Sequence, residues 1–255
     1  MRLLLVLLLF RPARRLAEKV RAWRRHRKLV RQLRDLGVYG GTITADRSKS
    51  DRPAPPAPAP CREPDGPVPF GCKTAWLALR CGSPEPVISA LRPGLRQSAN
   101  WTTGLAAAQA QSGGWVFVSP VLDGFVLAVG DGLFALAERQ EELNALAAQF
   151  SEVQYFASHR VSSSYCWARY KAGRCLRAYC TEDGRVLRNT GALTPEEQAL
   201  GFGAFPAQDG QDADRRPGEE DVLDIAAAWG VDPRFETPYP PSTGWLCRPD
   251  GWKEE

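Results

Sequence analysis

The stretch Glu152–Gly191, EVQYFASHRVSSSYCWARYKAGRCLRAYCTEDGRVLRNTG, decides the fold. Three runs in it, Val153–Ser158, Ser164–Tyr170 and Arg174–Thr181, are rich in aromatic and β-branched residues, and a weaker fourth covers Arg185–Asn189. Ala172-Gly173 and Asp183-Gly184 supply the residues that tight hairpin turns demand, so the stretch reads as a meander of short antiparallel strands. With Ala172 and Gly173 as the loop, alternation puts Cys166, Ala168 and Tyr170 on one face with Cys175, Arg177 and Tyr179. Tyr165, Trp167, Arg169, Leu176, Ala178 and Cys180 fall on the other. The Trp167, Leu176 and Cys180 face is expected to be the more buried, although a glycine bulge in the turn would shift the pairing by one residue.

On the N-terminal side, Trp115–Val118 and Phe125–Val129 flank Pro120 and the turn Asp123-Gly124, a second hairpin of nearly continuous apolar character. Pro120 has no N–H to give and belongs at an edge or an irregularity. A strand over Cys72–Leu79 opens the domain. Helices are expected from Ser83-Pro84-Glu85 to Leu91, over Leu105–Gln111, over Phe134–Phe150, from the capping sequence Thr194-Pro195-Glu196-Glu197, and over Glu219–Trp229. The Asn100-Trp101-Thr102 triplet matches a glycosylation acceptor, with an exposed loop as the default reading. The fold class expected is therefore α+β: an antiparallel sheet, hairpin 115–129 plus meander 152–190, packed with several short amphipathic helices and preceded by a basic helical arm.

Charge divides the chain. Residues 1–34 hold twelve Lys or Arg and one acid, for +11, and since the whole chain carries +4 the remainder carries −7. Residues 3–10, LLLVLLLF, are too few to span a bilayer as a helix, and Arg11-Pro12 follows where a signal peptide would place small residues. From Pro12 to Gly37, Leu16, Val20, Trp23, Val30 and Leu33 recur at helical spacing among arginines, a basic amphipathic pattern suited to an anionic membrane surface. Nucleic acid is the lesser option for this arm, and a solvated appendage is the plain alternative. Eight prolines between Pro53 and Pro69 mark an extended spacer. The organisation expected is an apolar leader and basic helix over 1–46, a linker over 47–69, an α+β domain over 70–235, and a tail over 236–255 that orders only if Trp245, Cys247 and Trp252 dock.

Seven cysteines, at 61, 72, 81, 166, 175, 180 and 247, include no C-x-x-C pair, and His26 and His159 are the two histidines, so neither a zinc site nor any other cofactor is expected. Cys166 and Cys180 lie on opposite faces in the register above, which speaks against a bridge between them. Reduced, mostly buried cysteine in a cytoplasmic protein, peripheral at the inner face of the membrane through residues 1–36, is the expectation.

The run Gln154-Tyr155-Phe156-Ala157-Ser158-His159-Arg160-Val161, continued by Trp167-Ala168-Arg169 and Arg177-Ala178-Tyr179, resembles the signature of a family of uncharacterised bacterial proteins. Asn100-Trp101, Phe117-Val118-Ser119-Pro120 and Gly230-Val231-Asp232-Pro233 also resemble that family's pattern, over about residues 70–235. The resemblance implies a shared fold and no established activity. In that pattern an acidic residue and a histidine tend to follow the His-Arg-Val step, where this chain has Ser163 and Tyr165, which implies a depleted polar site.

The chemistry-bearing candidates are few. His159 lies beside Ser158 and Arg160 at a strand end, and with Arg169 these define the weak catalytic candidates His159, Arg160 and Arg169. No carboxylate close in sequence orients the imidazole, and Cys166 is the nearest sulfur. Phosphate-cradling glycine loops and the nucleophile elbow are missing from the sequence. Two readings follow: a non-enzymatic, immunity-like or regulatory domain that binds a protein partner, or an enzyme with a pocket around His159 and Arg160.

Overall fold

In the computed structural model, which describes residues 59–110 and 114–249, nine antiparallel strands form a single sheet. The strands are β1 (Thr74–Arg80), β2 (Pro93–Asn100), β3 (Val116–Leu122), β4 (Phe125–Val129), β5 (Glu152–His159), β6 (Ser164–Lys171), β7 (Arg174–Glu182), β8 (Arg185–Thr190) and β9 (Thr243–Pro249). They lie side by side in the order β2-β9-β3-β4-β1-β5-β6-β7-β8. Five helices accompany them: α1 (Glu85–Leu91), α2 (Trp101–Ala108), α3 (Gln140–Ala147), α4 (Pro195–Ala199) and α5 (Glu219–Trp229), with 3-10 turns at Asp131–Ala137 and Phe202–Ala204. This is the α+β organisation expected; the leader, the basic helix and most of the linker lie outside the described residues.

Three hairpins are closed by two-residue turns in which both residues have positive φ: Asp123-Gly124, Ala172-Gly173 and Asp183-Gly184. That backbone twist matches the right-handed twist of the strands, so the local sequence sets the connectivity of β3–β4 and β6–β8. Register is another matter. Between β6 and β7 the pairing runs Trp167↔Tyr179, Ala168↔Ala178 and Arg169↔Arg177, then jumps to Tyr170↔Cys175, leaving Leu176 without a partner. Between β7 and β8 it jumps from Cys180↔Arg188 to Thr181↔Val186, leaving out Leu187. Each is a bulge, one extra residue on one strand.

The first bulge overturns two expectations. Trp167 shares its face with Tyr179 and Arg177, while Cys166 lies directly opposite Cys180 and is joined to it by a disulfide, so the cysteines are not all reduced. Cys72, moreover, is exposed. Leu176, expected in the core, is 46% exposed, because a bulged residue leaves the alternation that would have turned it inward.

Both faces of the sheet are covered. On one, Leu77, Val126, Val153, Tyr155, Cys166 and Tyr170 meet Val87 and Ile88 of α1, Leu133 and Leu136 of the first 3-10 turn, and Leu143 and Ala147 of α3. On the other, aromatic rings run across the strands: Trp76 stacks on Phe156 at 5.1 Å and Trp167 on Tyr179 at 4.8 Å, roofed by Trp229 of α5 and by Phe202 and Phe205. Burying rings of this size, at about 25 cal/mol per Å² of apolar surface, is the main source of cohesion.

Several local expectations are revised. Phe134–Phe150 is not one helix; the chain breaks at Arg139, so the 3-10 turn and α3 approach the sheet separately while Leu136, Leu143, Ala147 and Phe150 still face the core. At α1 the cap position is Pro84 rather than Ser83, with no side-chain cap bond. Asn100 sits in no exposed loop: it caps α2, accepting from Thr103 N at 3.0 Å and donating to the Glu63 carbonyl, and is buried. Pro120 falls at the irregularity between Val118 and Val121, where the Ser119 hydroxyl accepts the Leu127 N–H at 2.8 Å and so satisfies a donor there.

The proline-rich linker ends on the body. Asp65 accepts the N–H groups of Trp101 and Thr102 at the start of α2 and exchanges two backbone hydrogen bonds with Ser242. The condition placed on the tail is met by Trp245 and Cys247, which lie on β9 between β2 and β3; Trp252 is outside the described residues.

Candidate functional site

His159 is the last residue of β5, half-buried, with its ring edge-on to Phe134. Its Nδ1 lies 2.8 Å from Ser162 Oγ, a contact within the β5–β6 turn. Arg160 is exposed in that turn. Arg169 is elsewhere: it pairs with Gln154, five positions back along β5 from His159, a separation of roughly 17 Å at strand rise. The structure thus keeps His159 and Arg160 together and sends Arg169 to the far end of β6. Cys166, the nearest sulfur in sequence, is consumed by the disulfide.

Arg169 serves the buried carboxylate Glu152, to which its Nε donates at 2.8 Å, and lies over the Trp229 ring. Gln154 Nε2 donates to the same carboxylate and to the Trp229 carbonyl. Burial would push the Glu152 carboxyl up, but the Gln154 amide and the charges of Arg169 and Lys171 outweigh it, and the net direction is down. A second polar centre is deeper. Glu197, 0% exposed, accepts from Trp167 Nε1 and Arg177 Nε at 2.8 Å each and from Thr194 N at 2.8 Å, closing the capping box of α4. Arg177, 2% exposed, turns Nη1 to Asn189 Oδ1 and to the Ala178, Thr190 and Gly191 carbonyls. Gly191 is the residue this requires: at φ +80° its missing Cβ would stand 2.0 Å from the Leu176 carbonyl oxygen.

A third polar group crosses the end of the sheet, where Thr74, Ser158, Tyr165 and Thr181 are successive cross-strand neighbours. Ser158 Oγ donates to Glu219 of α5 at 3.1 Å, and Thr74 Oγ1 reaches toward Asp131 at 3.5 Å. Burial pushes the Asp131 carboxyl up to about 6, only partly opposed by the Thr74 hydroxyl. The Cys72 thiol is pushed up to about 11 by partial burial and then by the hydrogen bond and charge of Glu219, which keeps it a poor nucleophile.

Among the described residues, no group of three or more His, Cys, Asp or Glu side chains is placed to hold a metal ion, and no helix is long and apolar enough to cross a membrane. A void of about 10 Å³ beside Tyr155, the disulfide and Arg188 has room for a single water. The polar clusters bind the fold's own elements to one another.

The open feature is the β8 edge. Among the described residues β8 pairs as a strand with β7 alone, and the two bulges bring Leu176 and Leu187 to the surface at 46% and 54% exposure. Arg185 is exposed on β8, where it pairs with Asp209, and Lys171 and Arg174 flank the β6–β7 turn. The opposite edge, β2, differs: its last residue, Asn100, donates its backbone N–H to the Cys61 carbonyl of the incoming linker. Sequence reasoning placed Leu176 on the buried face, because alternation works by counting and a bulge breaks the count; Leu187 was assigned to neither face. The chain matches no family model, no curated protein and no solved structure.

Proposed function

We propose that residues 59–249 form a non-enzymatic protein-binding domain, immunity-like or regulatory in a bacterial cytoplasm, that receives an extended acidic segment of its partner along β8. The carrying observation is an unpaired edge strand, RVLRNT, that has two arginines and no acid and is bordered by the exposed Leu176 and Leu187. Strand addition supplies the partner's main-chain hydrogen bonds, the leucines select its apolar side chains, and Arg185 exchanges its exposed ion pair with Asp209 for a carboxylate of the partner. The signature-like residues support the same reading. Gln154, Trp167, Arg169, Arg177 and Tyr179 each direct their polar groups to a partner inside the fold, the last to the Pro206 carbonyl.

The test is binding of extended peptides with alternating acidic and apolar residues to the full chain, followed by fluorescence anisotropy. Leu187→Asp and Arg185→Glu should weaken binding about tenfold or more, at roughly 1.4 kcal/mol per decade, without shifting the thermal midpoint. Equal affinity of wild type and both variants removes the proposal.

One contact favours the enzymatic alternative: the 2.8 Å approach of Ser162 Oγ to His159 Nδ1, the geometry of a hydroxyl and its base. Labelling of Ser162 by a fluorophosphonate, abolished by His159→Gln, would establish it; an unlabelled Ser162 disposes of it.

A peripheral position at the inner membrane face through residues 1–36 belongs to the same proposal. Co-sedimentation of the full chain with anionic vesicles, compared with a chain lacking those residues, tests the arm, and equal pelleting eliminates it. The Cys166–Cys180 disulfide argues for an oxidising compartment instead, so a count of free thiols on protein taken directly from cells decides between the two.

A further inference from the structure

The free cysteines of the described residues differ in what surrounds the sulfur. Cys72 lies under the influence of the Glu219 carboxylate, Cys81 donates to the Leu79 and Ser83 carbonyls, and Cys247 is fully buried. All three thiols are pushed up, chiefly by burial, and are held in the unreactive protonated form. Cys175 is placed differently. It is half-buried one strand in from the sheet edge, next to exposed Arg174, and its sulfur accepts a hydrogen bond from Arg188 Nη2 at 3.5 Å.

The residue paired with Cys175 across β6–β7 is Tyr170, 0% exposed. The Tyr170 hydroxyl lies within the influence of both Arg188 and the Cys175 sulfur, yet it meets neither at hydrogen-bond geometry and has no other partner. A buried hydroxyl in that condition lacks compensation for its lost water. What it lacks is an oxygen acceptor in the space it shares with the sulfur. One oxygen atom added to Cys175 would supply it, and the same oxygen would stand beside the Arg188 guanidinium.

We propose that Cys175 is a site of reversible oxidation, whose sulfenic acid is held by Arg188 and the Tyr170 hydroxyl. The oxidant is a hydroperoxide, ROOH. Cys175 loses its proton to solvent, and the thiolate attacks the terminal peroxide oxygen. The S–O bond forms as the O–O bond breaks, and sulfur gives up two electrons. The leaving alkoxide takes a proton from water to become ROH, and Cys175 is left as Cys–SOH. Arg188 stabilises the attacking thiolate, and Tyr170 donates to the new oxygen. Return to the thiol requires an external thiol, through a mixed disulfide.

The experiment treats the full chain with hydrogen peroxide, traps sulfenic acid with a cyclic dione, and maps the adducts by peptide mass spectrometry. Cys175 should be trapped about tenfold faster than the more exposed Cys72, as expected for a thiolate-stabilised sulfur. Arg188→Gln should lower Cys175 trapping about tenfold while Arg188→Lys, which keeps the charge, restores most of it. Tyr170→Phe should leave the rate of first oxidation unchanged and shorten the life of the sulfenic acid, seen as faster conversion to sulfinic acid. Trapping of Cys175 no faster than of Cys72 in the wild-type chain overturns the proposal, and that comparison depends on no variant. A rate unaltered by Arg188→Gln overturns it equally.

Discussion

Glu197 holds three groups together on the aromatic face of the sheet, because the Arg177 guanidinium, the Trp167 indole and the first turn of α4 all end on it. Glu197→Ala leaves Arg177 charged, 2% exposed and without its counterion. Breaking a buried pair from one side costs about 3–5 kcal/mol, which urea unfolding of the variant should show. Glu197→Gln keeps an acceptor for Trp167 and should lose less. Asp131 makes a prediction of opposite character. Its folded-state pKa stands above the ordinary 3.8, at about 6, so the folded protein holds this proton more tightly than the unfolded chain does. The contribution of the protonated form is complete below the ordinary value and is lost as pH rises through about 6. Asp131→Asn should therefore flatten the stability–pH curve between those two values, in the difference between wild-type and variant urea midpoints. His159, the residue that most invited a catalytic reading, meets Ser162 and Phe134, and the edge-on contact with Phe134 is not announced by the flanking sequence.

At the level of strands and helices, turn chemistry was readable and register was not. Ala172-Gly173 and Asp183-Gly184 name their hairpins because positive φ is a local demand that few residues meet. Which residue of β7 bulges depends instead on how two strands and α4 settle together, so the Cys166–Cys180 pairing and the exposure of Leu176 and Leu187 lay beyond pattern reading. β2 was hidden for a related reason. Pro93, Gly94 and Asn100 read as loop residues, and the segment becomes a strand because β9 pairs with it, a case of tertiary context overriding propensity. The helical periodicity of Phe134–Phe150 put Leu136, Leu143, Leu146, Ala147 and Phe150 inward; all but the half-buried Leu146 are buried, and the continuity was wrong, since a turn at Arg139 keeps the same side inward. The disulfide joins residues 14 apart on paired strands. Replacing both Cys166 and Cys180 by serine should cost about 2–4 kcal/mol, and a reductant should lower the thermal midpoint of the wild-type protein and not that of the double variant.

For the molecule as a whole, the arrangement leaves one edge strand open and ties the opposite side to the end of the linker through Asp65, Asn100 and Ser242. Asp65→Ala removes the acceptor for two α2 N–H groups and should destabilise the body by about 1 kcal/mol, measured by thermal unfolding. The position of β9 reaches further still. The penultimate strand of the sheet is the last described stretch of the chain, slotted between β2 and β3. During synthesis the β5–β8 meander can assemble from neighbouring segments, whereas β3 must wait with a bare flank until translation delivers residues 243–249. Maturation then ends with a zipper closing from the C-terminal side. Pulse-labelled hydrogen exchange should find amides of β6 and β7 shielded well before those of β2 and β9, and a ribosome stalled short of Thr243 should display a sticky ribbon that recruits chaperones.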